Sequence, residues 1–74
     1  MQPILYQRDD CHLCDQALAV LAAARVPAFR SVFIDGDPEL EARYGRRVPV
    51  LRCGARELDW PFAVAAVTEC CAAG

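Results

Sequence analysis

Lysine is absent from the 74 residues, and apart from the single histidine, His12, every basic side chain is an arginine. No block of basic residues exists, and the formal net charge is −2. A nucleic-acid-binding face needs clustered positive charge, so nucleic acid is not an expected partner. Long hydrophobic runs are also missing. The longest, Ala17 to Ala24, has 8 residues, against about 18 for a membrane-spanning helix. The first ten residues hold Arg8, Asp9 and Asp10 in place of the basic-then-apolar order of a leader peptide. There is no internal repeat, linker or low-complexity stretch. These absences point to one domain over residues 1–74, cytoplasmic and monomeric, with no membrane partner.

What is present argues for a packed fold. Hydrophobic residues make up 55% of the chain without glycine, above the roughly 45–50% usual with glycine included. A chain this short buries only about 60% of its unfolded surface, so its stability margin is thin. Cysteine is abundant, with five residues, and the number is odd. An odd count fits a static disulfide framework poorly, and in the cytoplasm thiols are kept reduced. The cysteines are therefore read for chemistry first and for burial second.

Ile4-Leu5-Tyr6 reads as a short buried strand, followed by a loop from Gln7 to Asp10. Leu13, Ala17, Val20, Leu21 and Ala24 fall at spacings of three and four, one face of an alanine-rich helix that stops at or before Pro27. Phe29 to Ile34 holds a β-branched and aromatic run and reads as a second strand. Asp37 is a good helix N-cap, Pro38 suits the first helical position, and Gly45 suits a left-handed stop. Val48 to Cys53 reads as a strand that opens at a proline. Gly54-Ala55 is a turn and Arg56 to Leu58 a return strand. Asp59-Trp60-Pro61 begins a last helix with Trp60, Val64, Val67 and Cys71 on its apolar stripe. The order is β-α-β-α-β-β-α, a mixed α/β fold with a parallel first crossover and a terminal hairpin.

Cys11-His12-Leu13-Cys14 lies between the first strand and the first helix. A helix start offers free N–H groups and the positive end of the dipole, which favour an anion. The thiolate is the nucleophile, so Cys11 gains reactivity there. Cys14 lies three residues on, on the same helix face, and can attack a mixed disulfide formed at Cys11. Arg8, and His12 when protonated, add positive charge; Asp9, Asp10 and Asp15 oppose it, so the lowering of the Cys11 thiol is modest. Two plainer readings stand beside this one: structural core thiols, or half of a zinc site completed by His12, Cys53, Cys70 or Cys71. None of these supplies a second C-x-x-C pair.

Together, Cys11-His12-Leu13-Cys14, Arg43-Tyr44-Gly45, Arg47-Val48-Pro49-Val50 and Glu57-Leu58-Asp59-Trp60-Pro61-Phe62 resemble a short bacterial glutaredoxin-like family of the thioredoxin superfamily. The resemblance covers nearly the whole chain. It implies a thioredoxin-like fold of glutaredoxin type, with a four-stranded mixed sheet flanked by helices. It implies thiol–disulfide exchange with Cys11 attacking and Cys14 resolving, and a cis bond before Pro49 beside Cys11. It places Arg8, Val48 and Pro49 at the substrate; Arg47, Asp59 and Trp60, at neighbouring positions of the pattern, are read as substrate-binding too, and Arg8 and His12 as tuning the thiol. No cofactor or metal is implied, and glutathione is a candidate co-substrate. Two departures bear on it: Arg47 replaces the threonine usual before Val-Pro, and Asp59-Trp60-Pro61-Phe62 replaces a Gly-Gly-Asp segment. They imply weak, non-standard use of glutathione. The partner is a disulfide-containing protein or a small thiol. The alternative is a binding module of the same fold without turnover. Cys53 and Cys71 read as buried small hydrophobes, and Cys70 as exposed.

Overall fold

The computed structural model describes residues 2–73. The element order is β1 (Ile4–Gln7), α1 (His12–Ala23), β2 (Arg30–Phe33), α2 (Pro38–Tyr44), β3 (Val50–Cys53), β4 (Arg56–Asp59) and α3 (Val64–Ala73). The strands form one mixed sheet in the order β2-β1-β3-β4. β1 runs parallel to β2, with Ile4 opposite Arg30, and antiparallel to β3, with Tyr6 opposite Val50. β3 and β4 form a hairpin closed by Gly54-Ala55, with Cys53 opposite Arg56. Only Gly54 of that turn has positive φ, +63°, as a two-residue turn with glycine first requires.

β1 is central and buried on both faces, which is why Ile4-Leu5-Tyr6 is apolar without alternation. Leu5 points to one face, where Ala17 and Leu21 of α1, Leu51 of β3, and Val67 and Cys70 of α3 bury it. Tyr6 points to the other, with Val50, Ile34 and Tyr44 of α2. Helices α1 and α3 thus cover one face and α2 the other.

The helix ends follow local chemistry. The Asp37 side chain accepts the N–H groups of Glu39 and Leu40, both at 3.1 Å. At the end of α1 the Val26 N–H reaches the Leu21 carbonyl and the Arg25 N–H the Ala22 carbonyl. That is a Schellman closure, made with Arg25 at φ +59° where glycine is usual.

Four expectations need correction. Gly45 is not left-handed; its φ is −51° and ψ −36°. Glycine is needed there because a Cβ would run into the Glu41 carbonyl oxygen. Leu13 is 44% exposed, so the buried stripe of α1 is Cys14, Ala17 and Leu21. The last helix starts at Val64, not at Asp59: Asp59 ends β4, and residues 60–63 form a bend with a cis Trp60–Pro61 bond. Cys70, expected to be exposed, is fully buried, while Cys71 is half-buried against the same core. Val67 and Cys70, three residues apart on α3, both enter that core.

Candidate functional site

Asp10 takes positive φ, +55°, and turns the chain from β1 into α1. Cys11 follows in extended conformation as the N-cap, and its Sγ accepts the backbone N–H of Cys14 at 3.1 Å. The sequence thus puts a sulfur where capping residues normally put an oxygen. Cys11 and Cys14 form a disulfide with Cα atoms 5.2 Å apart. Cys11 is half-buried, whereas Cys14 is 2% exposed and packed behind it.

The loop before Cys11 is tied to its neighbours. The Asp9 N–H donates to Asp35 Oδ2 at 2.7 Å. Arg8 donates from Nη1 to Glu41 Oε1 at 3.3 Å and from Nη2 to the Gly45 carbonyl at 3.1 Å, with Asp35 Oδ1 3.9 Å away. Arg8 therefore joins the loop before Cys11 to α2 and to the β2–α2 connection. Its charge already faces two carboxylates.

A groove of about 460 Å³ opens beside the disulfide. Its walls include Arg8, Asp9, Asp10, Cys11, His12, Cys14 and Asp15, together with Gln7, Leu18, Ser31 and Phe33. Gln7 is buried and satisfied by donating to Ser31 Oγ at 2.9 Å. Phe33 is 50% exposed. Ser31 and Phe33 were not legible as site residues, because only the β1–β2 pairing brings them to Cys11; Gln7 lies close in sequence but carries no motif signal. The run around Phe33 signals a strand and nothing more.

The remaining residues expected at the substrate are placed as follows. Arg47, Val48, Pro49, Asp59 and Trp60 are not among the groove walls. Val48 and Pro49 precede β3, whose Val50 sits opposite Tyr6, so they lie at the same end of the sheet as Cys11. The Val48–Pro49 bond is cis, Pro49 is fully buried, and the Val48 N–H donates to the Tyr44 carbonyl at 3.0 Å. The Val48 carbonyl accepts no backbone hydrogen bond among the described residues.

Arg47 belongs to a structural cluster. It donates to Asp59 Oδ1 from Nε at 3.0 Å and Nη2 at 2.8 Å, and from Nη2 to Glu57 Oε1 at 2.9 Å. Glu57 Oε2 accepts the Tyr44 hydroxyl at 2.7 Å. Tyr44 stacks on Tyr6 with ring centroids 4.2 Å apart, and the Arg47 guanidinium lies 5.3 Å from the Tyr44 ring. The Tyr44 hydroxyl and Arg47 hold the Glu57 carboxyl below its usual value. Burial, and then the bond to Glu57, push the Tyr44 phenol up to about 12. Trp60 packs edge-on to Phe62, with centroids 5.0 Å apart, against the α1–α3 core.

Among the described residues no group of three or more His, Cys, Asp or Glu is placed to hold a metal ion, and no helix is long and apolar enough to cross a membrane.

Comparison with known proteins agrees with this geometry. The X-ray structure of the Northeast Structural Genomics target protein XcR50 from X. campestris is 59% identical, covering 97% of each chain, with a TM-score of 0.89. The solution structure of that protein, also 59% identical, covers 100% of this chain and 96% of its own, with a TM-score of 0.90. No curated protein matches. The family model for the glutaredoxin-like domain (DUF836) matches residues 2–70. A strand, a cysteine-capped helix with its C-x-x-C disulfide and a four-stranded mixed sheet thus meet a family match over nearly the whole length, and the chain belongs to the glutaredoxin-like domain family.

Proposed function

We propose that this chain is a thiol–disulfide oxidoreductase in which Cys11 attacks and Cys14 resolves. The observation that carries the reading is the unequal placement of a pair already at bonding distance. Cys11 is open to the groove and caps the helix, while Cys14 is buried behind it. In the reduced protein the Cys11 thiolate accepts the Cys14 N–H and attacks a disulfide R–S–S–R′. One sulfur leaves as a thiolate and the other stays bonded to Cys11. Cys14 then loses its proton and displaces the second sulfur, closing the Cys11–Cys14 disulfide. Two electrons pass to the substrate, which departs as two thiols, and an external dithiol or thiol resets the pair. His12, exposed on the first helical turn, adds positive charge beside Cys11 when protonated. Arg8 holds the loop in place.

The groove favours a cytoplasmic peptide or protein disulfide, or an uncharged small thiol, over glutathione. Asp9, Asp10 and Asp15 line it, and Arg8 is its only arginine. That arginine already faces Glu41 and Asp35. An anionic tripeptide therefore meets three carboxylates and little free positive charge. The exposed ring of Phe33 offers apolar contact to a protein substrate, and the Val48 carbonyl offers one backbone acceptor.

The test is disulfide turnover measured in parallel with glutathione and with a thioredoxin-type reducing system. Turnover with the second and weak turnover with the first is the expected result. Ordinary glutaredoxin rates with glutathione would overturn the substrate reading. No turnover with either, combined with saturable partner binding, would make the chain a binding module.

A further inference from the structure

The second cysteine cluster lies at the other end of the molecule. Cys53 closes β3, and since Arg52 sits opposite Ile4 at the start of β1, Cys53 is at the end of the sheet remote from Cys11. Its Sγ is 3.1 Å from the Sγ of Cys71 on α3. A cavity of about 620 Å³ opens there, walled by both thiols and by Gln2, Pro3, Val26, Pro27, Ala28 and Gly54. Its walls carry no charged side chain. Cys53 is buried, whereas Cys71 is half-buried. Cys70, next in sequence, is fully buried in the core and is not part of the wall.

Burial alone does not account for this arrangement. Cys53 belongs to the apolar core and Cys71 packs against it, yet their two sulfurs also face one another at the wall of an open cavity. A disulfide needs its sulfurs about 2.05 Å apart, so closing this contact takes a displacement of about 1 Å.

We propose that Cys53 and Cys71 are a second, independent oxidisable dithiol, reached through this cavity by small uncharged disulfides. Cys71, the more accessible sulfur, attacks a disulfide R–S–S–R, forms a mixed disulfide and releases one R–S⁻, which takes up the Cys71 proton. Cys53, its sulfur 3.1 Å from that of Cys71, displaces the second R–S⁻, which takes up the Cys53 proton. The Cys53–Cys71 bond forms, and R–S–S–R is reduced to two R–SH. Burial and the Cys71 contact raise the Cys53 thiol well above its usual value. That keeps Cys53 protonated and makes it the slower of the two thiols, so its step depends on the mixed disulfide being held beside it. The bond formed ties α3 to the end of β3, so oxidation at this end stiffens the packing of the C-terminal helix.

The test uses the full chain with Cys11→Ser and Cys14→Ser, which leaves three thiols: Cys53, Cys70 and Cys71. The protein is treated with excess hydroxyethyl disulfide, denatured, alkylated and mapped. The expected result is a fall from three free thiols per chain to one, with one bridged peptide joining Cys53 to Cys71 and alkylated Cys70. Thermal unfolding of the bridged form should rise by several degrees. Adding Cys71→Ser should abolish the bridge, and adding Cys70→Ser should leave it. Three persisting thiols, a bridge through Cys70, a mixed disulfide at Cys71 that never resolves, or a cross-linked dimer would each overturn the proposal. If the double serine variant fails to fold, wild-type protein with Cys11–Cys14 already oxidised presents the same three thiols to the same assay.

Discussion

Arg47 grips the Asp59 carboxylate through both Nε and Nη2, at 3.0 and 2.8 Å, across the gap between the α2–β3 loop and the end of β4. From the sequence, both residues are expected at the substrate. Their charges are turned toward each other and toward Glu57. Removing Arg47 leaves two carboxylates side by side and uncovers the Tyr44 ring. Arg47→Ala is expected to lower stability by about 1–2 kcal/mol, the range of a charge-assisted hydrogen bond reduced for partial exposure. Disulfide turnover should stay within about twofold, since a side chain outside the groove contributes little to transition-state binding. Urea denaturation and steady-state kinetics check the two halves, and a tenfold loss of kcat/KM would return Arg47 to the substrate.

The hydrogen bond between Tyr44 and Glu57 predicts how stability depends on pH. The Glu57 carboxyl is lowered in the folded state. Its contribution is present above the ordinary carboxylate value and is lost as pH falls through the lowered one. The Tyr44 phenol is raised from 10.0 to about 12. Its contribution is complete below pH 10 and disappears as pH rises toward about 12. Tyr44→Phe is expected to flatten the alkaline fall and shrink the acid one. Denaturation midpoints across the pH range measure both, and an unchanged alkaline limb in the variant would contradict the assignment.

Gly45→Ala tests why Arg43-Tyr44-Gly45 ends in glycine. The Gly45 φ is negative, so backbone freedom is not the reason. The added methyl would meet the Glu41 carbonyl oxygen, with Arg8 Nη2 close by at 3.4 Å. The expected cost is about 1–3 kcal/mol, as for overpacking elsewhere. Turnover should fall as well, because Arg8 anchors the loop before Cys11 on the Gly45 carbonyl. A neutral substitution would show that the end of α2 relaxes freely.

Arg25→Gly should act in the opposite direction. Arg25 holds φ +59° in the Schellman closure of α1. Left-handed backbone costs a residue with a Cβ about 1–2 kcal/mol, partly offset by the greater unfolded freedom of glycine. A net gain of up to about 1 kcal/mol is expected in the denaturation midpoint, with no change in thiol chemistry.

Limited alkylation of the reduced protein near neutral pH should label Cys11 ahead of Cys14. Cys11 opens on the groove, while Cys14 is 2% exposed. Peptide mapping reads the ratio, and preferential labelling of Cys14 would reverse the assigned roles.

The element order and the Cys11–Cys14 site were legible because their signals are local. Asp37-Pro38 starts a helix by its own chemistry, and Cys11 precedes an alanine-rich helical run. What could not be read depends on partners far along the chain. Asp59 has the composition of a cap but pairs in β4 opposite Val50, so α3 starts only at Val64; the burial of Cys70 depends on packing against α1. Phe33 reaches the groove only because β2 lies beside β1. The approach of Cys53 to Cys71 spans 18 positions of sequence, and no periodicity of either segment encodes it.

Leu5 and Tyr6 are neighbours that serve opposite faces of the sheet. A one-residue slip of β1 would push a phenol ring among α1 and α3 and leave Leu5 as a poor partner for the Tyr44 ring. It would also carry the start of α1 along the strand axis by about 3.3 Å, moving the Cys11 sulfur away from the walls supplied by β2. The unequal sizes of these two side chains forbid that slip. The apolar core therefore acts as a ruler for the reactive thiol, and a substitution that evens out Leu5 and Tyr6 would misplace Cys11 without touching the groove.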